Sequence, residues 1–432
     1  MSNRQTSSRR DFLKGSTATA AGLALAGSLT IGRTAHAAGS DRIKAALIGC
    51  GGRGNGAADN CLTADANVKI VAVADAFEGQ AKGAAARLNR DWGAKGQAEI
   101  PADHVFVGLD AYQKAIDCGV DLVLLATPPG FRPMQYEAAI KAGKHVFMEK
   151  PCCTDAPGFR KLMAANKLAD EKGLKVGVGL QRRHDAGYLG GVKELQDGKI
   201  GAFVFSRVYW NGDGIWFRDR NPSMTELQYQ VHNWYHFVWL SGDNICEQHV
   251  HNLDVGNWVK GDHPAEANGM GSCILRYVGR DPKKGMGQIF DNHFVEFTYK
   301  DGTKMYSQCR HIPNTWGGVS ETIHGTKGVT GPYGRGPKLK FGNPYDQEHY
   351  DLLQAIRNNT AYNEGWHGAT SSFTAVLGRM ATYSGQLVRW DDAVAKGTSD
   401  MPEKLAWDVD PPLMPDKNGN YAIAVPGVYR PY

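Results

Sequence analysis

The chain has 432 residues, with 49 lysines and arginines against 44 aspartates and glutamates. That length predicts two or three domains, and a hydrophobic share of 42% with a charged share of 22% excludes a disordered or fibrous protein. Residues 1–37 hold five of the basic side chains and one of the acidic ones, so the rest of the chain is nearly neutral. A nearly neutral body predicts no binding to nucleic acid or to an anionic membrane surface.

The N-terminal segment has the order of an export signal. Arg9 and Arg10 precede an uncharged stretch at 15–32, and the small residues of a cleavage site follow at 35–37. The paired arginines make the segment similar to a twin-arginine signal peptide. We therefore expect export by the twin-arginine machinery, cleavage near Ala37, and a periplasmic or otherwise exported mature protein outside the membrane. The alternative is a single membrane anchor, because the uncharged stretch could just span a bilayer.

Eight cysteines occur without a C-x-x-C pair and without zinc-type spacing. They are Cys50, Cys61, Cys118, Cys152, Cys153, Cys246, Cys273 and Cys309. Twin-arginine cargo folds before export in the reducing cytoplasm, so we expect free, buried thiols rather than disulfides. The spacing also predicts no metal site.

Short apolar runs alternate with helical stretches through the first part of the chain. The six predicted strands are Ile43–Ile48, Val68–Ala74, Val105–Val107, Leu122–Ala126, Val146–Met148 and Val176–Val178. Helical stretches such as Pro133–Ala142 and Phe159–Lys172 lie between them. Continuously apolar strands separated by helices are typical of a parallel sheet covered on both faces. We therefore expect a doubly wound Rossmann domain over residues 38–180, after the signal at 1–37.

After residue 202 the pattern changes to longer β-rich runs. The predicted strands are Phe203–Trp210, Gly287–Tyr299 and Thr303–Arg310, with a hairpin turn in the sequence YKDGT at 299–303. Helical stretches follow at Gln347–Arg357 and Ser371–Leu387. The chain is therefore predicted to be α/β, with a second, α+β domain over 181–432 built on a mostly antiparallel open sheet. We expect the C-terminal helices to pack back on the first domain and the broad sheet face to form a homo-oligomer.

A glycine-rich loop, GCGGRG at residues 49–54, directly follows the first predicted strand. In a G-x-G-x-x-G loop the first glycine makes the turn, the second lets the backbone approach a pyrophosphate, and the third lets helix and strand close up. Asp75 ends the next strand, where a carboxylate binds the adenosine ribose hydroxyls and repels a 2′-phosphate. The pattern predicts NAD in preference to NADP, held by Gly49, Gly51, Gly52, Arg53, Gly54 and Asp75. Arg53 keeps NADP as an alternative cofactor, because a cation in this loop could hold a 2′-phosphate. The alternative to a dinucleotide site is a glycine turn in some other doubly wound domain.

Two further motifs make a family resemblance specific. They are ATPP at residues 126–129 and AGKHVFMEKP at residues 142–151. Together with the glycine loop and the later β-rich domain, they resemble the glucose–fructose oxidoreductase/inositol dehydrogenase family (Gfo/Idh/MocA). The resemblance implies an NAD(P)-dependent oxidoreductase in which Lys150 lies beside the nicotinamide and the reacting hydroxyl, with Thr127, Pro128 and Glu149 in the cofactor site. The alternative is an exposed lysine at a strand end.

The sequence EQHVHNLD at residues 247–254 is similar to a second family motif, in which an acid is followed by three residues and then by His-x-x-Asp. Glu247 and His251 are four residues apart, so one helix would place both on the same face. A neutral imidazole can take a hydroxyl proton, and Asp254, next to His251, can orient its ring. This chain has Glu247 where the family usually has Asp, and it has a second histidine, His249. The alternatives are a metal-binding His-x-His pair and a core histidine at 251.

Candidate substrate residues follow the sixth strand and recur in an aromatic stretch. The family lines its sugar site where Gln181 and Arg183 stand, and Tyr235, His236 and Asp254 are further candidates for contacting a small carbohydrate. The alternative for Tyr235 and His236 is a place in the hydrophobic core, because aromatic stretches form core about as often as they line a pocket.

An exported NAD enzyme meets no cytoplasmic pool in which to exchange spent cofactor. We therefore expect a tightly held cofactor that is recycled on the enzyme. Two chemistries satisfy this condition: oxidation of a sugar with return of the hydride to a second carbonyl compound, and glycoside cleavage through transient sugar oxidation and elimination. The motifs do not separate them, and we favour the oxidoreductase. A third alternative, an inactive sugar-binding or scaffold protein, is disfavoured by the presence of Lys150, Glu247 and His251.

Overall fold

Six short apolar strands form a parallel sheet in the computed structural model, which describes residues 42–274 and 287–432. The strands are β1 (Ile43–Ile48), β2 (Val68–Asp75), β3 (Val105–Val107), β4 (Leu122–Leu125), β5 (His145–Met148) and β6 (Val176–Val178). Their order is β3-β2-β1-β4-β5-β6, and every neighbouring pair is parallel. The order reverses between β1 and β4, and open α/β sheets bind ligands at such a switch point.

Five helices connect these strands. They are α1 (Gly52–Ala64), α2 (Glu78–Trp92), α3 (Ala111–Asp117), α4 (Arg132–Lys141) and α5 (Ala156–Glu171), with short 3₁₀ turns at Gly93–Lys95 and Ala102–His104. Apolar residues of α1 and α2 cover one face of the sheet, and those of α3, α4 and α5 cover the other. Burial on both faces explains why these strands are continuously apolar.

A second, seven-stranded sheet follows α6 (Ala186–Gln196). Its strands are β7 (Phe203–Gly212), β8 (Glu266–Ser272), β9 (Asn292–Thr298), β10 (Lys304–His311), β11 (Gly318–Gly325), β12 (Gly328–Thr330) and β13 (Val388–Arg389). Their order is β12-β11-β7-β10-β9-β8-β13. The pair β7 and β10 is parallel, whereas the other pairs of this described sheet are antiparallel.

Further helices cover this sheet and return to the first one. They are α7 (Glu226–His232), α8 (Val238–Ser241), α9 (Asn244–Glu247), α10 (Val250–Lys260), α11 (Pro344–Arg357), α12 (Gly365–Ser384) and α13 (Trp390–Lys396), with 3₁₀ turns at Gln181–His184 and Trp234–His236. Helix α12 packs on β8 and β9, and α10 packs on β7. Leu352 and Leu353 of α11 join the apolar cluster formed by α1, α2 and β1, so the C-terminal part of the chain helps to cover the sheet that carries the glycine loop.

The predicted fold class is confirmed: a Rossmann sheet is followed by a mostly antiparallel one. The hairpin turn is also present, because the Tyr299 N–H donates to the Thr303 carbonyl over 2.9 Å and Gly302 has a φ of 84°. The strand predicted at Gly287–Tyr299 is shorter than expected and begins at Asn292. All eight cysteines are free, as predicted, although Cys118 and Cys273 are half-buried rather than buried. The predicted signal at 1–37 lies outside the described residues.

Candidate cofactor and catalytic site

The glycine loop is built so that side chains are excluded where the backbone must turn or close up. Gly49 has a φ of 95°, and a Cβ there would lie 2.5 Å from the Thr127 nitrogen. A Cβ on Gly54 would lie 1.8 Å from the Gly49 carbonyl oxygen. Gly51, the N-cap of α1, has open space where its Cβ would stand, with no described atom within 4 Å. The first turn of α1 therefore leaves room for an anionic group at its N-terminus.

A cavity lies at the carboxyl ends of β1, β2 and β4. Among the predicted cofactor residues, Gly49, Gly51, Asp75, Thr127 and Pro128 line it. Asp75 accepts hydrogen bonds from the backbone N–H of Cys50 over 2.7 Å and of Phe77 over 2.9 Å. Burial raises the pKa of the Asp75 carboxyl. A cavity with an open glycine turn and a strand-end carboxylate fits the pyrophosphate and ribose of a dinucleotide.

The Arg53 side chain contacts Glu149 of the AGKHVFMEKP motif and does not extend into solvent from the glycine loop without partners. Its Nε lies 2.8 Å from Glu149 Oε1, and its Nη2 donates to Asn60 Oδ1 over 2.9 Å. The guanidinium carbon also lies 5.1 Å from the centre of the Tyr345 ring. These partners hold the cation beside Glu149, and neither Arg53 nor Glu149 lines the cavity that contains Asp75.

Lys150 is held by the acidic residue predicted to act with it. Its Nζ donates to the Glu247 carbonyl oxygen over 2.5 Å and lies 3.6 Å from Glu247 Oε2. The two side chains are 15% and 7% exposed, so this ion pair is largely desolvated. Burial raises the pKa of Glu247, and Lys150 and Arg132 counteract part of that rise. Arg132, which is buried, donates to the carbonyls of Pro151 and Thr127 and so joins the two family motifs.

The expectation of one helix across Glu247 and His251 is wrong. Helix α9 ends at Glu247 and α10 begins at Val250, so the two residues flank a break. The side chain of His249 is fixed at the break, because its Nε2 lies 2.8 Å from Ser307 Oγ on β10. The break frees the Glu247 carbonyl from the helical ladder for Lys150 and leaves His251 in the first turn of α10.

His251 is buried beside Trp210, with 6.0 Å between the ring centres. Its Nδ1 has no hydrogen-bond partner among the described residues. Burial lowers the pKa of His251 well below its usual value, and the nearby cations Lys150 and Arg182 lower it further. The imidazole is therefore neutral at physiological pH, the form that can accept a proton.

Asp254 does not orient His251 through Nδ1. It accepts a bidentate pair of bonds from Arg183, with Nε at 2.9 Å from Oδ2 and Nη2 at 2.8 Å from Oδ1, and a bond from Ser371 Oγ over 2.7 Å. Arg183 and Asp254 were both predicted to contact substrate. The structure shows them as an ion pair between the half-buried Arg183 and the buried Asp254, which joins the 3₁₀ turn at Gln181–His184 to α10.

The remaining predicted substrate residues are distributed around the second domain. Gln181 donates to the Tyr345 hydroxyl over 3.2 Å, and its buried Oε1 lacks a partner within the described parts of the chain. The Tyr235 hydroxyl lies 3.4 Å from His311 Nε2, and His236 Nε2 lies 2.7 Å from the Trp216 carbonyl oxygen. Tyr235 and His236 are both buried. Their role toward a substrate stays a prediction.

Comparison with known proteins supports the same reading. The model of an oxidoreductase family with an NAD-binding Rossmann fold (GFO_IDH_MocA) matches residues 43–180, and that of the twin-arginine translocation signal matches residues 6–26. An inositol 2-dehydrogenase of Klebsiella pneumoniae (strain 342) is 30% identical over 273 residues, which cover 62% of this chain and 68% of that enzyme. The chain belongs to the Gfo/Idh/MocA family. It also carries a twin-arginine export signal, as predicted.

Solved structures share the fold of this Gfo/Idh/MocA protein. The scyllo-inositol dehydrogenase of Lactobacillus casei with bound NAD(H) and scyllo-inositol has a TM-score of 0.60 at 20% identity, over 81% of this chain and 99% of that one. The aldose–aldose oxidoreductase of Caulobacter crescentus complexed with glycerol has a TM-score of 0.59 at 17% identity, over 81% and 99% of the two chains.

Several cavity-lining residues escaped the sequence prediction. They are Phe77, Gln80, Leu109, Tyr112, Arg218 and His232. Phe77 could have been found, because it lies two residues after the predicted carboxylate at Asp75. Arg218 and His232 lie far downstream in a segment without a local cofactor motif. Over the described ranges, no helix is both long and apolar enough to cross a membrane, and no group of His, Cys, Asp or Glu is arranged to hold a metal ion.

The turn that carries Gln181 and Arg183 is anchored by His184. Its Nδ1 lies 2.7 Å from Asp351 Oδ2 and its Nε2 lies 3.0 Å from Glu364 Oε1. Burial disfavours the charged imidazole, but the two carboxylates outweigh it and raise the pKa of His184 to about 10. Burial likewise opposes the charge of Glu364, but His184 holds its pKa at about 2.

This anchor predicts a pH dependence of stability. A histidine with a raised folded-state pKa stabilises the fold fully below its unfolded value of about 6.5. The contribution is lost as the pH rises toward about 10. We expect the difference in free energy of unfolding between the wild type and His184→Gln to shrink across that window, measured by urea denaturation at several pH values. Asp351→Asn should reduce the slope, and parallel curves for wild type and His184→Gln would contradict the assignment.

Proposed function

We propose that this chain is an exported NAD-dependent oxidoreductase that acts on a sugar or a related polyol and recycles a tightly held cofactor. The observation that carries the proposal is the buried Lys150–Glu247 pair, with the neutral His251 nearby, at the edge of the sheet that holds the glycine loop. The relatives named above include inositol dehydrogenases and an aldose–aldose oxidoreductase, which supports a cyclic polyol or aldose as the substrate class.

The proposed cofactor is NAD, held at the glycine loop, Asp75, Thr127 and Pro128. When bound, its nicotinamide supplies the chemistry of accepting and returning a hydride. The Asp75 carboxylate is available to bind ribose hydroxyls and would repel a 2′-phosphate. Arg53 supports NAD as well, because it is engaged by Glu149, Asn60 and Tyr345 instead of lining the Asp75 cavity.

The protein supplies proton transfer and positioning. We propose that His251 takes the hydroxyl proton of the substrate, because its imidazole is neutral. Lys150 acts as a cation that polarises the reacting oxygen, and Glu247 holds the ammonium in place. Among the predicted substrate residues, the unpaired Oε1 of Gln181 suits direct contact with a substrate hydroxyl. The Arg183–Asp254 pair then holds the turn that presents Gln181.

The proposal is tested on the mature protein purified from the exported fraction. We expect mass spectrometry to find NAD(H) that remains through gel filtration, and absorbance to report its reduction by an inositol or aldose and its reoxidation by a second carbonyl compound. An empty protein with only millimolar affinity for NAD would contradict the proposal. Release of sugar from a glycoside without net change in the cofactor would instead establish glycosidase chemistry.

The roles of Lys150 and His251 are tested by Lys150→Met and His251→Asn. Each should keep the cofactor and lose on the order of 10²–10⁴-fold in turnover, the usual span for general acid–base catalysis. The double variant should lose less than the product of the two, because residues acting as a unit are not additive. Since burial and nearby cations keep His251 neutral, the wild-type kcat should show no titration near the ordinary imidazole value.

His293→Asn is the matched control, because His293 is also a buried histidine and its ring lies on β9, where its Nδ1 is 2.9 Å from Thr382 Oγ1. It should retain near-normal turnover once circular dichroism shows that it is folded. Near-normal turnover of His251→Asn across the pH range would contradict the catalytic assignment and show that His251 is a core histidine.

We also propose that the protein is a homo-oligomer through the outward face of the second sheet. Met270 on β8 and Phe294 on β9 lie opposite each other in the sheet and are 75% and 38% exposed, and clustered exposed apolar side chains mark interaction surfaces. Sedimentation velocity should give a defined oligomer for the wild type and a smaller species for Met270→Lys. A wild-type monomer at micromolar concentration would contradict this assignment.

A further inference from the structure

We propose that Arg218, on the segment 213–237, binds the ADP part of the cofactor and retains it in the cavity. The inference rests on the proposed function in one respect, that NAD occupies this cavity. One wall of the cavity comes from the strand ends of the first sheet, including Asp75 and Phe77. The facing residues come from the second half of the chain: Arg218, Val231, His232 and Trp234.

Arg218 is held in place by contacts to its own segment. The buried Asn233 accepts from the Arg218 backbone N–H over 2.9 Å and donates to the Arg218 carbonyl over 3.1 Å. The guanidinium lies over the Trp216 ring, 4.1 Å from its centre, and one Nη donates to the His232 carbonyl. The side chain is nevertheless exposed, so the remaining guanidinium donors are accessible to a ligand.

The segment is fastened to the sheet that carries the glycine loop. The Gly130 N–H donates to the Leu240 carbonyl over 2.9 Å, just beyond the segment. A Cβ on Gly130 would lie 2.1 Å from the Trp239 carbonyl oxygen, so the two backbones are in close contact. At the end of β2, the Phe77 ring centre lies 5.8 Å from that of His232 and 5.6 Å from that of Trp407.

The C-terminal tail fastens the outer side of the same segment. Arg220 donates to the Tyr421 hydroxyl over 2.9 Å and to Glu226 over 2.8 Å. Gln230 donates to the Leu413 carbonyl over 2.7 Å. These contacts fix the segment from the C-terminal side, so Arg218 is held at the cavity wall without a bound ligand.

The charge of the lining identifies the part of the ligand that Arg218 meets. Asp75 is the acidic residue of the lining and Arg218 the permanently cationic one. Burial and the Arg218 charge lower the pKa of His232, so that imidazole is neutral. NAD presents ribose hydroxyls to a carboxylate and two anionic phosphates to a cation. An arginine–phosphate contact is charge-assisted and therefore stronger than a neutral hydrogen bond.

The test uses full-length protein stripped of cofactor, in the wild type and in Arg218→Ala, Arg218→Lys and Arg90→Ala. Arg90 is a matched control because it is an exposed arginine on α2 outside the cavity. Tryptophan fluorescence follows titration with NAD, NADP, ADP-ribose and nicotinamide riboside, which carries no phosphate. We expect Arg218→Ala to weaken NAD and ADP-ribose about tenfold or more, as for a lost hydrogen bond to a charged group. Arg218→Lys should lose less affinity, whereas the binding of nicotinamide riboside and all affinities of Arg90→Ala should be unchanged.

The outcomes separate this inference from the proposed function. If the wild type does not bind NAD, the proposed function fails. If the wild type binds NAD and Arg218→Ala binds NAD and ADP-ribose equally well, the inference is overturned while the proposed function stands. If Arg218→Ala weakens NADP and leaves NAD unchanged, Arg218 meets a 2′-phosphate, which also overturns the inference.

Discussion

The contact between Lys150 and Glu247 joins the two halves of this molecule at the point where chemistry is expected. Lys150 follows the last residues of β5 in the first sheet, and Glu247 ends a short helix that belongs with the second. A largely buried cation and carboxylate are stable only as partners, since removing either leaves an uncompensated charge. The pair therefore fixes the second domain against the strand end of the first. This contact between the domains is consistent with the positions of three features: the break after α9, His251, and the Gln181–His184 turn.

Most of the first sheet was predictable in detail because its central strands are buried. Such strands are short and mostly apolar, and β1 and β6 have the predicted bounds, as does the partly exposed edge strand β3. The break between α9 and α10 was not predictable in the same way. The residues around it are compatible with a continuous helix, and the interruption involves long-range contacts such as that of His249 with Ser307. A local pattern contains no information about a partner on β10.

In the candidate site, too, residues restricted by local geometry were predictable, whereas those placed by long-range contacts were not. The glycine loop, Asp75 and the motif around Lys150 could be found because backbone geometry or charge restricts each position locally. Arg183 and Asp254 were also singled out, but the sequence did not reveal that they pair with each other. Arg218 and His232 had no local signal, because their place in the cavity depends on Asn233 and on the way the segment packs on Phe77. A residue that reaches a ligand only through tertiary packing is not marked by any spacing pattern in the sequence.

The composite wall of the cavity bears on the order of events during biosynthesis. The glycine loop and Asp75 are complete within the first domain, whereas the facing wall includes residues as far along the chain as Trp234 and is fastened by Tyr421. Trp407 packs on Phe77 at the end of β2. A nascent chain that has made only its first sheet thus has half of the compartment. The compartment closes once nearly the whole polypeptide has been synthesised and packed. For a protein with a twin-arginine signal, which passes the membrane already folded, completion of this compartment and completion of the fold therefore belong to the same stage of biosynthesis.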